Sequence, residues 1–468
     1  MLNDLFAHQA QTASFPGRPT ELRAHKNTNQ RIQLISGNLV DNSSSVSCGV
    51  SARVFDKGMY GFASVAALDA ANVAKVMKTA ADNAVFLGNK ASSKLGELAP
   101  LLPGDEAVRH QEKFVAQKLL SDFAKELDSY IAEKYKNLAG RSVMINLLNM
   151  EKLLLASNGG EAPIVRSHSL LPRAIVMVGL TAKSAGGAPI TLSEALADFK
   201  FFTDAFKNPA DLHSGIDDLY ERVMKKSEGV YCKAGKHQVI IGPSVTGMLA
   251  HEAVGHTVEA DLVLGGSISG RFMDKQVASE LVTMVDFANI KEDGERAHCP
   301  IDIDDEGTIA KDALLIDKGI LRSYMHNRAS AKKLGYEPTG NARAYLFSDE
   351  PLIRMRNTAI LPGKSKLNDL IASVDDGYYL VKTGNGQADG TSEFMFSITE
   401  GYEIKNGKIG SAIKDTTVSG VAFDMLKTVD MVSDDMLWRM SGMCGKKQPI
   451  PTANGGPALR CHVNLGGR

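Results

Sequence analysis

His251, Glu252 and His256 stand together in the stretch Gly247-Met248-Leu249-Ala250-His251-Glu252-Ala253-Val254-Gly255-His256-Thr257-Val258-Glu259-Ala260-Asp261, a His-Glu-x-x-x-His pattern. Two imidazoles and a carboxylate on one element suggest a zinc hydrolase. Imidazole nitrogen suits zinc, and a carboxylate beside the metal can deprotonate water. The commoner spacing is His-Glu-x-x-His, which puts both rings on one face because a helix turns once in about 3.6 residues. In this chain the histidines are one residue further apart, so a regular helix would rotate His256 by about 140° away from His251. One inserted residue in a π-bulge would restore the register, and such bulges gather at functional sites. Gly255 is a permissive residue beside the needed distortion. The spacing therefore predicts a bulged or broken helix between His251 and His256. Glu252 is the candidate general base, taking a proton from the attacking water and passing it to the leaving amine.

A catalytic zinc keeps three protein ligands and one open position. The residues alone leave the third donor open. Cys444 is one candidate, against the plainer reading of a lone cysteine as a small buried hydrophobe. Cys461-His462 and His298-Cys299 are adjacent pairs, whose members face opposite ways on a strand and cannot easily share an ion. Glu259 follows His256 by three residues and can share its helical face, either as a ligand or as a carboxylate that orients the imidazole or receives a substrate amine. Asp261 lies just beyond it.

The elements that must position these groups read as α+β. Val50-Ser51-Ala52-Arg53-Val54-Phe55 and Met59-Tyr60-Gly61-Phe62-Ala63 flank Asp56-Lys57-Gly58 as a hairpin. Val73, Val76, Met77, Ala80, Ala84 and Leu87 form a helical stripe. A longer helix is expected over 107–137, with Phe114, Leu120, Phe123, Leu127 and Ile131 on one face. Strands follow at Ser142–Ala156 and Arg173–Ala182, then a polar helix at Asp211–Lys226. The pattern changes near residue 228, which sets an N-terminal mixed α/β domain at 1–228 and a strand-rich C-terminal domain of antiparallel sheets at 229–468. There Pro243-Ser244 opens the helix that carries the histidines, and Asn406-Gly407 marks a further hairpin.

Through most of its length, and most densely in its C-terminal half, the chain resembles the TldD/PmbA metallopeptidases, once labelled modulators of DNA gyrase. The resemblance rests on His251 to His256 with Glu259 and Asp261, and on Asp302-Ile303-Asp304-Asp305-Glu306-Gly307-Thr308. Further blocks are Pro338-Thr339-Gly340-Asn341, Asn357-Thr358 with Leu361-Pro362-Gly363, and Met443-Cys444-Gly445-Lys446. It thins before residue 230, although Arg53-Val54-Phe55 and Tyr60-Gly61-Phe62-Ala63-Ser64 still fit. The resemblance implies a zinc metallopeptidase on the TldD side of a heteromeric pair, because the PmbA (TldE) side lacks the metal motif. It implies Cys444 as the third zinc ligand after His251 and His256. It further implies a dimer, either with itself or with a PmbA/TldE-type subunit, that cleaves unfolded or extended peptides in a chamber between subunits, for peptide maturation or degradation. The alternatives are a non-catalytic regulator linked to gyrase or to an antitoxin, and a metal-dependent amidase acting on a small molecule.

Composition narrows the setting. Of 468 residues, 53 are Lys or Arg and 54 are Asp or Glu, a formal charge of −1 that gives no global attraction to nucleic acid or an anionic membrane. With 44% hydrophobic and 23% charged residues the chain is an ordinary folding mixture. No apolar run reaches the roughly 20 residues of a membrane span, and Met1-Leu2-Asn3-Asp4-Leu5 does not begin a secretory signal. Five scattered cysteines without a Cys-x-x-Cys pair fit a reducing, cytoplasmic location. Lys332-Lys333 and Lys446-Lys447 read as solvated basic pairs, Asp302 to Gly307 as an acidic turn rather than a calcium loop, and Gly384 to Gly390 as a loop near the site. Trp438 is expected to pack in a helix with Met436, Leu437 and Met440.

Overall fold

A computed structural model of the chain describes residues 15–106, 113–388 and 390–467. The first residues of the expected 107–137 helix, the extreme N-terminus and Asp389 therefore lie outside the described residues. The fold is mixed α+β and strand-rich. Among the described residues no helix is long and apolar enough to cross a membrane.

The first half is built on one large sheet. Its strands are β1 (Pro19–Ile35), β2 (Asn38–Asp56), β3 (Met59–Val65), β4 (Gly104–Glu106), β5 (Gly140–Asn158), β6 (Val165–Lys183) and β7 (Pro189–Asp198). They run in the order β3-β2-β1-β5-β6-β4, with β7 also on β6. The β2–β3 hairpin turns through Lys57 and Gly58, both at positive φ. The helix Ala70–Lys90 packs Val73, Val76, Met77, Ala80 and Ala84 against this end. It comes so close that a Cβ on Gly61 would lie 2.1 Å from the Ala80 carbonyl oxygen. Leu87 leaves the expected stripe and is exposed. The next helix spans Gln117–Lys134 and buries Leu120, Phe123, Leu127 and Ile131. Phe114 precedes it and is 76% exposed, so the helix starts later than the periodicity suggested. The helix His213–Ser227 lays Ile216, Leu219 and Val223 into the same core.

Past residue 234 the chain forms two further principal sheets. In one, the pairings close into a ring: Gly235–Ile241, Leu459–Leu465, Thr416–Val421, Glu393–Lys405 and Asp376–Ala388, which returns to the first. The other runs from Ile320–Leu321 through Ala313–Asp317, Met284–Phe287, Asn357–Ile360 and Ala453–Gly456 to Leu437–Arg439. Most of these pairings are antiparallel, but Asn357–Ile360 and Asp376–Ala388 each take one parallel neighbour. Asn406 and Gly407, both at positive φ, turn the expected hairpin. Trp438 lies on the edge strand Leu437–Arg439, not on a helix, with its ring against Phe287 and His298. Met, Leu and Trp suit either element at so short a length, and pairing with Ala453–Gly456 decides it.

The acidic turn is present, but its carboxylates turn inward. Asp304 accepts from the Glu306 and Thr308 amides, both at 2.9 Å. Nearby on β4, Glu106 accepts from Ser167 Oγ at 2.6 Å. Burial raises the Glu106 carboxyl from 4.5 to about 7, against the Ser167 hydrogen bond and with help from Asp302. Its folded state holds the proton more tightly than the unfolded chain, so the stability it contributes is full below pH 4.5 and is lost as pH rises through about 7. Glu106→Gln is accordingly expected to match the wild type at the acid end and to be about 1–3 kcal/mol more stable at pH 8. Thermal melts across that range check this, and parallel curves would remove the assignment.

Candidate metal centre

Pro243 begins the helix Pro243–Met248, which continues directly into a π-helical segment, Leu249–Gly255, and a 3₁₀ turn, His256–Val258. The wide turn falls where the histidine spacing demanded it. The His256 amide donates to the His251 carbonyl, so the i to i+5 hydrogen bond links the two imidazole-bearing residues themselves. Gly255 is needed for a different reason from the one anticipated. Its φ of −53° is ordinary, but a Cβ there would meet Met355 Sδ at 2.2 Å and the Ala250 carbonyl oxygen at 2.9 Å. The segment lies in the main core of the second half, with Leu249, Ala250, Ala253, Val254 and Val258 buried beside Met355, Phe394 and Phe396.

This geometry brings His251 and His256 to 5.3 Å between ring centroids. Cys444, on the short strand Met443–Cys444, completes the group: one ligand atom from each of the three lies within 4.8 Å of the others. Cys444 Sγ is 3.5 Å from His256 Nε2. A tetrahedral zinc with usual Zn–N and Zn–S bonds would hold such atoms about 3.6 Å apart. His251 is 3% exposed, and its Nδ1 has no hydrogen-bond partner. Burial works to raise the Cys444 thiol, but hydrogen bonds and charge from His251 and His256 outweigh it and hold the sulfur far below its ordinary value. Burial likewise works to lower His256, but Glu259 and Cys444 outweigh it and raise the imidazole. Without a metal, the sulfur and the His256 imidazole thus favour a thiolate–imidazolium pair, and a metal would take the place of the imidazolium proton. Soft sulfur with two imidazoles is a donor set suited to zinc.

Glu252 faces the same space. Its carboxylate oxygens lie 3.7 Å from His256 Nε2 and 4.0 Å from His251 Nε2. Glu259 is fully buried on the other side of the His256 ring and accepts from Nδ1 at 2.8 Å. The thiol and this carboxylate therefore meet opposite nitrogens of one imidazole, an orienting arrangement for Glu259. Asp261 stands further out and pairs with Lys446 Nζ at 3.0 Å. The same ammonium lies 3.1 Å from Glu259. Lys446 is therefore not the solvated lysine expected of a basic pair. It ties the cysteine turn to the histidine segment, and its position two residues after Cys444 was the signal available for finding it. Among the described residues neither competing pair joins the three convergent donors: Cys299 Sγ points to Arg343 and the Pro451 carbonyl, and of the other pair His462 lines the adjoining cleft.

Glu252 and His256 open onto a cleft of about 1330 Å³ lined also by Gly386, Gly420, His462 and Lys446. Gly386 lies within the strand Asp376–Ala388, so the glycine-rich stretch reaches the site largely as strand rather than loop. Thr416–Val421 and Leu459–Leu465 both contribute to the lining and pair only at Val418–Leu465 and Ser419–Asn464.

Residues 234–465 match the PmbA/TldA metallopeptidase C-terminal domain and residues 20–84 match domain 1 of the same family. The chain is 33% identical over 277 residues to a zinc metalloprotease TldD homolog of Saccharolobus solfataricus, covering 59% of this chain and 60% of that protein. It is 30% identical over 455 residues to a metalloprotease of Methanocaldococcus jannaschii, covering 95% and 96%. The match spans about half the length of other curated TldD homologs, 49% of one from Buchnera aphidicola. Among solved structures, one described as a modulator of a DNA gyrase from Thermotoga maritima superposes with a TM-score of 0.75 at 20% identity, covering 99% of each chain. TldE from Thermococcus kodakarensis superposes at 0.72 and 17% identity, also covering 99% of each.

Proposed function

The chain belongs to the PmbA/TldD metallopeptidase family, and from that premise we propose that it is a zinc-dependent peptidase hydrolysing unfolded or extended peptides. The convergence of His251, His256 and Cys444 carries this reading. These three would hold the zinc, which when bound supplies a Lewis acid for the scissile carbonyl and eases deprotonation of water. Glu252 would take the proton of the attacking water and deliver it to the leaving amine. Glu259 would fix the His256 ring through Nδ1, and Lys446 and Asp261 would fix Glu259 in turn.

The cleft favours a peptide. Where Thr416–Val421 and Leu459–Leu465 diverge, an extended chain can add main-chain hydrogen bonds with little demand on its sequence. We take the chain as two domains meeting near residue 228, consistent with a helix ending at Ser227 before the ring of strands begins at Gly235. We also take a cytoplasmic dimer, or a pairing with a TldE-type subunit, as the working assembly. The regulator alternative comes from the family's older gyrase-modulator label; the Thermotoga protein's description repeats it, and 20% identity carries the fold alone.

The test is metal content and hydrolysis measured together, with and without a TldE-type partner. The wild type is expected to hold one zinc per chain and to cut an unstructured peptide, and His251→Ala and Cys444→Ala to lose both. Peptidase activity in a metal-free wild type, or undiminished in both variants, would overturn the proposal. Intact peptides alongside cleavage of a small amide would favour the amidase.

A further inference from the structure

Regular structure does little to hold Cys444. Its strand is two residues long and pairs only with Ile450–Pro451, and a Cβ on Gly445 would meet nothing within 4 Å. Apart from the Thr452 amide, which donates to the Gly442 carbonyl at 3.3 Å, the turn is held by cationic side chains. Arg354 donates to the Cys444 carbonyl at 2.6 Å and to the Gln448 carbonyl at 2.7 Å. Arg173 reaches the turn from β6, in the other half of the chain. It donates to the Ser441 carbonyl at 3.2 Å, the Gly442 carbonyl at 3.0 Å and Met443 Sδ at 3.0 Å. Those are the three residues that lead into the cysteine.

Arg173 is an expensive residue for that place. It is 6% exposed, and among the described residues it pairs with no carboxylate. Besides the turn, its guanidinium faces the Phe199 ring, 5.9 Å away. Burial lowers its pKa to about 10, with only partial relief from Cys299 and Tyr345. Buried cations without an anion cost stability, and an apolar side chain of similar size is often neutral or better. What the guanidinium provides in return is geometry, because its planar fork fixes several acceptors at once.

We infer that Arg173 is a positioning residue for the metal centre: the N-terminal sheet holds the 441–443 turn so that the Cys444 sulfur meets the two imidazoles. The inference rests on the zinc-peptidase reading. It gives the first half of the chain a part in a site whose ligands all lie in the second, and it predicts that an unrestrained turn binds metal mainly through the histidines.

The experiment uses the full chain loaded with cobalt, whose bond to a thiolate gives a charge-transfer absorption that imidazole ligation does not. Arg173→Met is expected to weaken metal affinity, read by chelator competition, by about 10- to 100-fold and to diminish the thiolate band. Its melting temperature should fall only slightly, the relief of a buried unpaired cation offsetting the hydrogen bonds lost at the Ser441 and Gly442 carbonyls. Arg173→Lys should recover part of both signals, since an ammonium can still reach one carbonyl. Wild-type affinity with a full band in Arg173→Met would overturn the inference. Should that variant not fold, the same readouts on Arg173→Gln and Arg173→Lys decide. Cys444→Ala is the reference. If it abolishes the band while the Arg173 variants keep it, only the positioning role fails. If it too keeps the band, the cysteine is not a ligand and both readings fall.

Discussion

Glu252→Gln is expected to lower kcat for peptide cleavage by about 10²- to 10⁴-fold while leaving zinc content and KM close to the wild type. The loss corresponds to about 3–5 kcal/mol of transition-state stabilisation. The geometry separates this residue from the ligands. Glu252 lies 3.7 and 4.0 Å from the imidazole nitrogens and is outside the group of three convergent donors, so an isosteric amide should not disturb the metal. Glutamine keeps the shape and the hydrogen-bonding oxygen but cannot accept and return a proton. A substrate positioned by main-chain contacts along the cleft should bind it unchanged. Glu252→Asp is the informative intermediate, retaining the base but drawing it back by one methylene, and should fall between the two. Glu252→Gln with wild-type kcat and full zinc would make Glu252 a solvated helix residue and leave the proton transfer to another group.

The histidine spacing was the most legible feature of the site. A separation that no regular helix can turn into one face requires an extra residue in the turn, and the π-helical segment Leu249–Gly255 supplies it. Hairpins at Lys57-Gly58 and Asn406-Gly407 were legible because local turn chemistry sets them. The third donor was not: nothing local relates Cys444 to residues so distant in sequence, and only the family resemblance pointed to it. Lys446 was misread because composition treats a basic pair as surface, whereas the fold brings Glu259 and Asp261 to meet it. Trp438 was misplaced because a short apolar run carries no period long enough to separate strand from helix. Most hidden was the seam between the two halves, where charged residues from distant segments are buried together.

That seam yields the larger stability prediction. Arg53 on β2 donates to Glu21 Oε2 at 2.6 Å and pairs with Glu306 from the acidic turn, while Arg328 lies 3.5 Å from Glu21. Arg53, Glu21, Glu306 and Arg328 are at most 4% exposed. Arg53→Met is expected to cost about 3–5 kcal/mol, because removing one partner leaves the others buried and uncompensated. Lys78→Met, which breaks the exposed pair with Asp82, should be indistinguishable from the wild type. The Arg53→Met deficit should also depend on pH. Burial already raises Glu21 from 4.5 to about 7, with Arg53 opposing the rise. Without the guanidinium the folded carboxyl climbs further above its unfolded value. The variant's deficit should then hold steady up to about pH 7, where both folded carboxyls keep their proton, and widen as pH rises above it, where only the wild type's Arg53 favours the ionised Glu21. Denaturant titrations of both proteins from pH 5 to 8 measure the difference. A deficit that stayed constant across that range would mean that Arg53 contributes packing rather than charge, and that the two halves are held together by shape alone.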